Sequence, residues 1–430
     1  MRLKTRPAAG PLAGELTPPG DKSISHRALI FACLAQGRST VTGLLQSEDV
    51  KATEKACLQL GMGLERQGDS LVLEGVGSRG LSKPEAPLDM GNSGTAMRLL
   101  AGVLAAQPFD SVLYGDESLS QRPMTRIVKP LTDMGARIET AENGTPPLKI
   151  TGTGSLQGIH YDSPIASAQV KSCILLAGLY ADGRTTVTEP LASRDHTEQM
   201  LPAFGVHLVD GCGVEGGSRL TAAEVHVPGD ISSAAFFMVA AALVPGSDLL
   251  LRNVGLNRTR DGIIKMLQAM GADLSVRNRR KQGGEATGDV RIRHAGRLRG
   301  VDMPVDWVPA LIDEIPVILA LAAVSDGTTR IRGAAELRVK ESDRLDVMAR
   351  GLERLGVSLE EYEDGIDVTG GRVSGGVVDG AGDHRCAMSF AILGQVAEGE
   401  LMIEGSENIN TSFPSFAGDL ASVGGAVSHE

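Results

Sequence analysis

One arrangement of apolar and polar positions recurs six times along the chain. Each copy consists of an apolar residue, a glycine, two further residues and a second apolar residue. The six copies are LGMGL at Gly61, MGARI at Gly135, FGVHL at Gly205, MGADL at Gly271, LGVSL at Gly356 and VGGAV at Gly424. Before each copy, apolar residues three or four apart predict a helix, and a glycine just past its end suits a left-handed C-cap. The residues after each glycine predict a strand.

Six Ala- and Leu-rich stretches in the same register predict a second set of helices. They cover residues 25–36, 95–106, 168–180, 232–244, 313–324 and 385–397. A short β-branched run follows each of them and predicts a strand. The repeating unit is therefore helix, strand, helix, strand, with further strands closing it. Three units in each half of the chain predict two similar domains of normal size, although an α/β chain with coincidental glycine turns is the alternative.

A polar cluster precedes each helix of this second set. The clusters are DKSISHR (21–27), GNSGTAMR (91–98), SPIASAQVK (163–171), PGDISS (228–233), IDEIP (312–316) and GDHR (382–385). Helix capping explains one Ser, Asn or Asp in each cluster, but it does not explain the accompanying Lys and Arg. Free backbone N–H groups at a helix N-terminus attract anions, and Arg binds phosphate or carboxylate with two donors. The clusters therefore predict a site for anionic ligands.

Composition and short motifs narrow the possible chemistry. Across 430 residues, 42 Lys and Arg stand against 53 Asp and Glu, a net charge of −11 that argues against nucleic acid or an anionic membrane as partner. The five cysteines form no CxxC pair, and no HExxH, GxxxxGK[ST] or strand-to-helix GxGxxG motif occurs. We expect no metal and no organic cofactor. The N-terminus has no apolar signal segment and the apolar runs are short, so we expect a cytoplasmic protein.

Several segments, in this order, resemble the enolpyruvyl transferases. They are GDKSISHR, GNSGTAMR, QRPM, SAQVKS, LIDEIP, RVKESDR, DHRCAMSF and TSFP, and the resemblance covers essentially the whole chain. It implies an α/β fold of two similar domains, each of three βαβαββ-type repeats in an inside-out α/β barrel, with the active site in the interdomain cleft. The implied domains are residues 19–228, and residues 1–18 together with 229–430. A monomer that closes around its substrates is expected.

The resemblance is closest to the branch that acts on shikimate 3-phosphate. It implies transfer of the enolpyruvyl group of phosphoenolpyruvate to the 5-hydroxyl of shikimate 3-phosphate by addition and elimination, with release of phosphate, in the pathway to chorismate and aromatic amino acids. Asp313 is the implied base for the hydroxyl. Glu341 is the candidate for proton transfer at the methylene carbon, and Lys22 contacts phosphoenolpyruvate and can also shuttle a proton. Which of the latter two dominates stays open.

The resemblance also implies two sets of binding residues. Shikimate 3-phosphate is expected at Lys22, Ser23, Arg27, Ser167, Ala168, Gln169, Arg194, Asp313 and Lys340. Phosphoenolpyruvate is expected at Lys22, Asn92, Gly94, Thr95, Arg122, Gln169, Arg344 and Arg385. We favour a structural role for Arg98, which lies one turn inside its helix, and leave open whether Thr411 or His384 contacts substrate. Since Gly94 stands where glyphosate-tolerant relatives carry Ala, we expect glyphosate to compete with phosphoenolpyruvate.

Two other functions remain as alternatives. A UDP-N-acetylglucosamine enolpyruvyl transferase shares the architecture but normally has Asn after the first Lys and a reactive Cys near residues 110–125. Here Ser23 follows Lys22, and no Cys lies between residues 58 and 172. A non-catalytic phosphometabolite-binding protein could dispense with the acid–base pair, whereas Asp313 and Glu341 are both present.

Overall fold

The structure, a computed structural model, describes residues 2–430 and divides into two compact units. The first-half unit comprises residues 20–227 and 281–285, and the second-half unit comprises residues up to 19, 228–280 and 286–430. The boundaries expected from the sequence, after residues 18 and 228, each lie one residue from a boundary between the units. The short segment 281–285, at the tip of a hairpin, groups with the first half, which the sequence does not predict.

The described chain contains two sets of helices, and those that follow the polar clusters are buried on nearly all sides. The α-helices are α1 (Lys22–Leu34), α2 (Glu48–Gln59), α3 (Gly94–Leu104), α4 (Thr125–Asp133), α5 (Ala168–Gly178), α6 (His196–Met200), α7 (Ile231–Leu243), α8 (Gly262–Ala269), α9 (Val308–Leu311), α10 (Ile315–Ala322), α11 (Arg344–Arg354), α12 (His384–Leu393) and α13 (Phe416–Ser422). Helices α1, α3 and α5 belong to the first-half unit, and α7, α10 and α12 to the second-half unit. They supply much of each unit's hydrophobic core.

Short strands cover these helices. The strands of the first half of the chain are β1 (Leu3–Thr5), β2 (Ala13–Leu16), β3 (Ala35–Thr42), β4 (Gly63–Gln67), β5 (Ser70–Val76), β6 (Leu88–Asp89), β7 (Ser111–Tyr114), β8 (Arg137–Glu139), β9 (Leu148–Thr151), β10 (Leu156–Gln157), β11 (His160–Asp162), β12 (Ala181–Asp182), β13 (Arg184–Thr188), β14 (Gly213–Glu215), β15 (Leu220–Thr221) and β16 (Glu224–His226). The remaining strands are β17 (Asp248–Gly255), β18 (Asp273–Gln282), β19 (Glu285–Arg293), β20 (Thr328–Ile331), β21 (Ser358–Tyr362), β22 (Gly365–Thr369), β23 (Ser374–Asp379), β24 (Glu398–Glu404) and β25 (Val427–His429).

Four sheets share one strand order, and the sheets of the third and fifth repeats are shorter versions of it, which confirms the sixfold repeat. In the order β6-β7-β9-β8, the first pair is parallel and the next two are antiparallel. The same pattern recurs in β16-β3-β5-β4 and β23-β24-β1-β25, and the order β2-β17-β19-β18 matches it. The sheet β20-β22-β21 lacks a regular strand parallel to β20. Isolated parallel bridges, such as Asp302 with Arg330, stand in its place. The sheets within residues 2–430 are open, and none closes on itself as a barrel.

The N-terminal segment completes sheets of the second-half unit. Leu3 in β1 pairs with Ile403 in β24 and with His429 in β25, both antiparallel. Strand β2 lies parallel to β17, with Leu16 opposite Leu251. The two ends of the chain therefore belong to one sheet, and residues near the N-terminus supply one strand each to the sheets of the fourth and sixth repeats.

The left-handed caps predicted at the six repeat glycines are confirmed, but one of the six predicted strands is wrong. All six glycines have positive φ, between 81° and 106°, the region that a side chain disfavours. Strands come after five of them, but the strand predicted after Gly205 is absent. There the chain reverses almost at once, because Asp210 and Gly211 take left-handed conformations and Val209 N donates to Gly213 O at 2.9 Å. The segment between Gly205 and this turn is not part of a strand, and the third sheet, β11-β13-β14, has three strands.

The helix predicted over 313–324 also begins later than expected. Residues Ile312–Glu314 form a 3-10 turn, and α10 starts at Ile315 with Pro316 in its first turn. Proline lacks an N–H and is suited to that position, which marks the true start of the helix. Asp313 therefore lies in a tight turn before the helix.

Candidate active site

Three buried helices of the first-half unit begin at polar clusters. Asp21, Ser93 and Ser167 cap α1, α3 and α5, each accepting a hydrogen bond from a backbone N–H of the first turn. Capping is thus real, as the simpler interpretation required. A cap accepts from only some of the free backbone N–H groups in the first turn of each helix. Capping therefore explains neither the remaining N–H groups nor the cationic side chains beside them.

Two arginines converge on the start of α3. Arg122 Nη2 donates to Asn92 Oδ1 at 2.6 Å, and the Asn92 amide donates to Asp116 Oδ2 at 2.8 Å. A Cβ added at Gly94 would lie 2.8 Å from Arg98 Nη1 and 3.3 Å from Arg122 Nη1. The absence of a side chain at Gly94 therefore lets two guanidinium groups lie against the helix terminus, an arrangement suited to an anion.

Arg98 is tied to the predicted binding residues of the neighbouring helix. Its Nη1 donates to Gln169 Oε1 at 2.6 Å, and the Gln169 amide donates to Thr95 Oγ1 at 2.8 Å. Its Nη2 donates to Pro123 O at 3.3 Å. The position of Arg98 within its helix favours a purely structural role. The geometry places its guanidinium beside Gly94, so it belongs to the same cationic cluster.

The cations of α1 have different surroundings. Lys22 Nζ lies 2.8 Å from Asp49 Oδ2, and this pair is largely shielded from solvent. Arg27 is buried, with Nε on Thr197 Oγ1 at 2.8 Å and Nη2 on Ser172 Oγ at 2.6 Å. Burial lowers the pKa of Arg27 to about 10, against an opposing effect of Glu198. Arg27 thus uses two of its donor nitrogens to join α1, α5 and α6, a bracing role that the sequence does not predict.

The start of α5 is held by an acidic side chain from the loop after β13. Ser167 N donates to Glu189 Oε1 at 2.8 Å, so the backbone ahead of Ala168 and Gln169 is anchored. Arg194 lies in the segment that leads into α6, close in sequence to Ser193, whose hydroxyl donates to Glu189 Oε2 at 2.8 Å. One carboxylate therefore contacts both segments that carry predicted phosphate-binding residues.

The second-half unit contains a cluster in which three carboxylates surround one buried cation, Arg344. Its Nε lies 2.7 Å from Asp383 Oδ2, its Nη1 3.0 Å from Asp313 Oδ1 and its Nη2 2.6 Å from Glu341 Oε2. Burial opposes the charge of Arg344, but the three carboxylates outweigh it and raise the pKa above its ordinary value. The two predicted acid–base residues thus share one buried cation. The resemblance assigns Arg344 to phosphoenolpyruvate, and the structure shows its main contacts to be protein carboxylates.

Arg385 and Lys340 complete this second cluster. Arg385 Nη1 donates to Asp313 O at 3.2 Å, and its Nη2 lies 3.8 Å from Asp313 Oδ2. Burial lowers the pKa of Lys340, while Asp313 acts in the opposite direction. His384 is the buried first residue of α12, and Thr411 is buried with its hydroxyl on Asn408 O at 2.7 Å. The contacts join part of the predicted set within each unit: Arg122 with Asn92 and Gln169 with Thr95 in the first half, and Arg344 with Asp313 and Glu341 in the second.

Several polar residues of these clusters are not predicted as site residues by the sequence. They are Asp49, Arg98, Lys171, Glu189 and Glu198. Lys171 lies within the SAQVKS motif, and its position between polar residues on an apolar helix is a usable signal. The acidic partners stand in segments of ordinary appearance, so only the three-dimensional contacts reveal them.

Residues 2–430 contain neither a candidate metal site nor a helix that could span a membrane. No group of three or more His, Cys, Asp or Glu side chains is arranged to hold a metal ion. Over the same residues, no helix combines the length and apolar character needed to cross a membrane.

Comparison with known proteins gives one consistent family. The family model described as EPSP synthase (3-phosphoshikimate 1-carboxyvinyltransferase) matches residues 7–420. A curated 3-phosphoshikimate 1-carboxyvinyltransferase of Xanthomonas campestris pv. campestris (strain B100) is 53% identical over 409 residues, 94% of this chain and 93% of that protein. The homologue of Xanthomonas oryzae pv. oryzae (strain PXO99A) is 52% identical over the same shares. A solved EPSP synthase structure from Acinetobacter baumannii has a TM-score of 0.88 and 48% identity, covering 99% of both chains.

Proposed function

The chain belongs to the EPSP synthase family, and on that premise we propose that it transfers the enolpyruvyl group of phosphoenolpyruvate to the 5-hydroxyl of shikimate 3-phosphate. The observation that carries this proposal is the identity of 53% over 94% of the chain with curated relatives named for this reaction. The same relatives disfavour the UDP-N-acetylglucosamine enolpyruvyl transferase alternative. The products are 5-enolpyruvylshikimate 3-phosphate and phosphate.

The cationic cluster at the start of α3 supports a site for phosphoenolpyruvate. This substrate carries a phosphate and a carboxylate close together, which calls for two or more cationic groups and a helix N-terminus. Arg98 and Arg122 lie against Gly94, and Gln169 links Arg98 to Thr95. We assign the substrate's anionic groups to this cluster, with Lys22, Arg344 and Arg385 as further contacts.

The starts of α1 and α5 support a site for shikimate 3-phosphate. The assigned residues of the first-half unit are Lys22, Ser23, Arg27, Ser167, Ala168, Gln169 and Arg194, and those of the second-half unit are Asp313 and Lys340. Ser167 caps α5 with its oxygen and keeps its hydroxyl hydrogen for a phosphate oxygen. Ala168 has no side-chain donor, so its backbone serves there.

The carboxylates around Arg344 support the proton transfers. We propose that Asp313 removes the proton from the 5-hydroxyl as its oxygen attacks carbon 2 of phosphoenolpyruvate, while Glu341 or Lys22 delivers a proton to the methylene carbon. The tetrahedral intermediate then loses phosphate from carbon 2. A proton leaves the methyl group formed in the first step, and the double bond is restored. Because Arg344 lies within 3.0 Å of both Asp313 and Glu341, it orients the two carboxyl groups relative to each other.

Four further proposals concern domain closure, oligomeric state, cellular location and inhibition by glyphosate. We propose that the units are domains which both contact the substrates in a closed state, and scattering that shows no compaction with both ligands present contradicts this. We propose a monomer, to be checked by sedimentation. A cytoplasmic location is supported by five free cysteines. We also propose that glyphosate competes with phosphoenolpyruvate, to be checked by the pattern of inhibition.

The deciding experiment is phosphate release on mixing the purified protein with shikimate 3-phosphate and phosphoenolpyruvate. Parallel reactions replace the first substrate by UDP-N-acetylglucosamine or omit one substrate. We expect phosphate only when both proposed substrates are present, and mass spectrometry should find the enolpyruvyl product in equal amount. Phosphate release with UDP-N-acetylglucosamine instead, or tight binding without turnover, contradicts the proposal.

A further inference from the structure

The Glu189 carboxylate receives four donors in the first-half unit. Oε1 accepts from Ser167 N at 2.8 Å. Oε2 accepts from Ser193 Oγ at 2.8 Å and from Ser193 N at 3.4 Å, and it lies 2.9 Å from Lys171 Nζ. The side chain is only 7% exposed. Two loops and one helix thus meet at a single buried carboxylate.

Lys171 is enclosed between two acidic residues. Its Nζ lies 2.9 Å from Glu189 Oε2 and 2.8 Å from Glu198 Oε1, and all three side chains are at most 9% exposed. Burial disfavours the ammonium, but Glu198 and Glu189 outweigh it and raise the pKa of Lys171. Such a buried ion cluster is a poor source of stability, because desolvation offsets most of the attraction. Its location therefore calls for another explanation.

That location is between the segments that carry Ser167 and Arg194. The Ser167 N–H immediately precedes the first turn of α5, where Ala168 and Gln169 lie. Ser193 is the neighbour of Arg194 in the segment before α6. A group that grips both segments sets the distance between the serine and the arginine assigned to the phosphate of shikimate 3-phosphate.

We propose that Glu189, itself oriented by Lys171, is a positioning residue for the phosphorylated substrate, holding the Ser167 and Arg194 segments in register. The inference rests on the proposed function, since it takes its substrate from there. It assigns Glu189 no contact with the reacting atoms. Its effect is to arrange donors before the phosphate binds, so that binding requires less rearrangement.

The chemistry of the carboxylate makes the proposal testable. Both oxygens of Glu189 act only as acceptors, Oε1 toward Ser167 and Oε2 toward Ser193 and Lys171. In Glu189→Gln one of these positions becomes an NH₂ group, which has donors only. Either the Ser167 N–H or the Lys171 ammonium then faces another donor, so the carboxylate no longer holds both segments. The volume of the side chain is almost unchanged.

The experiment compares wild type and Glu189→Gln by shikimate 3-phosphate calorimetry and by steady-state kinetics with each substrate varied. We expect the KM and the Kd for shikimate 3-phosphate to rise about 10- to 100-fold, as a small misplacement of binding groups does. The KM for phosphoenolpyruvate should rise by a clearly smaller factor, since only Gln169 of its assigned residues lies next to the anchored segment. Leu176→Val, at a buried position of α5 without polar contacts, is the matched control and should lower only the melting temperature.

Ser193→Ala provides a second, milder test in case Glu189→Gln does not fold. It removes one hydroxyl donor to Glu189 and should raise the KM for shikimate 3-phosphate about three- to tenfold. Wild-type values for the folded variants, or equal increases in both KM values, overturn the positioning role. A wild-type protein that neither binds shikimate 3-phosphate nor releases phosphate overturns the proposed function, and the inference with it.

Discussion

Gly94 offers a sharp test of the proposed phosphoenolpyruvate site. The substitution Gly94→Ala adds one methyl group at the first residue of α3, next to two guanidinium groups. The added Cβ would lie 2.8 Å from Arg98 Nη1, whereas ordinary contacts begin near 3.4 Å. The backbone φ is not in the left-handed region, so alanine fits the helix itself. The whole effect should therefore fall on the arginines.

The structure sets the size of that effect. Arg98 Nη1 must retreat by about 0.6 Å to reach an ordinary contact, and it now donates to Gln169 Oε1 at 2.6 Å. A hydrogen bond from a charged group contributes about 1.5–3 kcal/mol, so its complete loss at the anion site sets an upper limit of about 100-fold on the rise in KM. Arg122 Nη1, at 3.3 Å, should move only slightly.

The assay is phosphate release with phosphoenolpyruvate varied at saturating shikimate 3-phosphate, then the reverse. We expect a higher KM for phosphoenolpyruvate, a nearly unchanged KM for the other substrate and weaker inhibition by glyphosate. Gly418→Ala is the matched control, because Gly418 lies within α13 with no atom in reach of an added Cβ. A folded Gly94→Ala protein with wild-type KM and glyphosate sensitivity would refute the reasoning.

Three further predictions concern the cluster around Arg344. Asp313→Asn and Glu341→Gln should each lower kcat by about 10²- to 10⁴-fold, the usual contribution of a positioned acid or base, while calorimetry still detects substrate binding; retained turnover removes the assigned role. Arg344→Met should lower the free energy of unfolding in urea by about 3–5 kcal/mol, because Asp383 is left buried without its cation; a wild-type midpoint contradicts this. Since burial lowers the pKa of Lys340, its charge is lost as pH rises through that lowered pKa, so the KM for shikimate 3-phosphate should rise at a pH below the ordinary lysine range; Lys340→Arg keeps its charge and should flatten the profile.

Local features of the fold can be predicted because they depend on neighbours in the sequence. Most other residues are strained in the left-handed position after a helix. The six copies at Gly61, Gly135, Gly205, Gly271, Gly356 and Gly424 therefore predict six such caps. Apolar periodicity likewise predicts the buried helices. The prediction fails after Gly205, where the chain turns at Asp210 and Gly211 and the segment before the turn is not part of a strand. Pairing partners decide whether a strand exists, and those are not local.

The anionic nature of the ligands is also readable from the chain, since Lys and Arg gather at predicted helix starts. Their individual tasks are not. Arg27 uses donors on Thr197 and Ser172, 170 and 145 residues away in sequence. Arg98 has the sequence position of a structural residue, yet its guanidinium lies beside Gly94. A guanidinium reaches several ångströms from its Cα, so its partner depends on which elements pack nearby.

The sequence by itself thus determined the repeat, the left-handed glycine caps and the charge of the ligands. The tertiary structure alone decided that Asp313, Glu341 and Asp383 share Arg344, and that Glu189 joins two loops. The physical reason is that propensity and capping act over a few residues, whereas charge pairing in a protein interior depends on distance in space. Groups far apart along the chain acquire their roles only when folding removes the water between them.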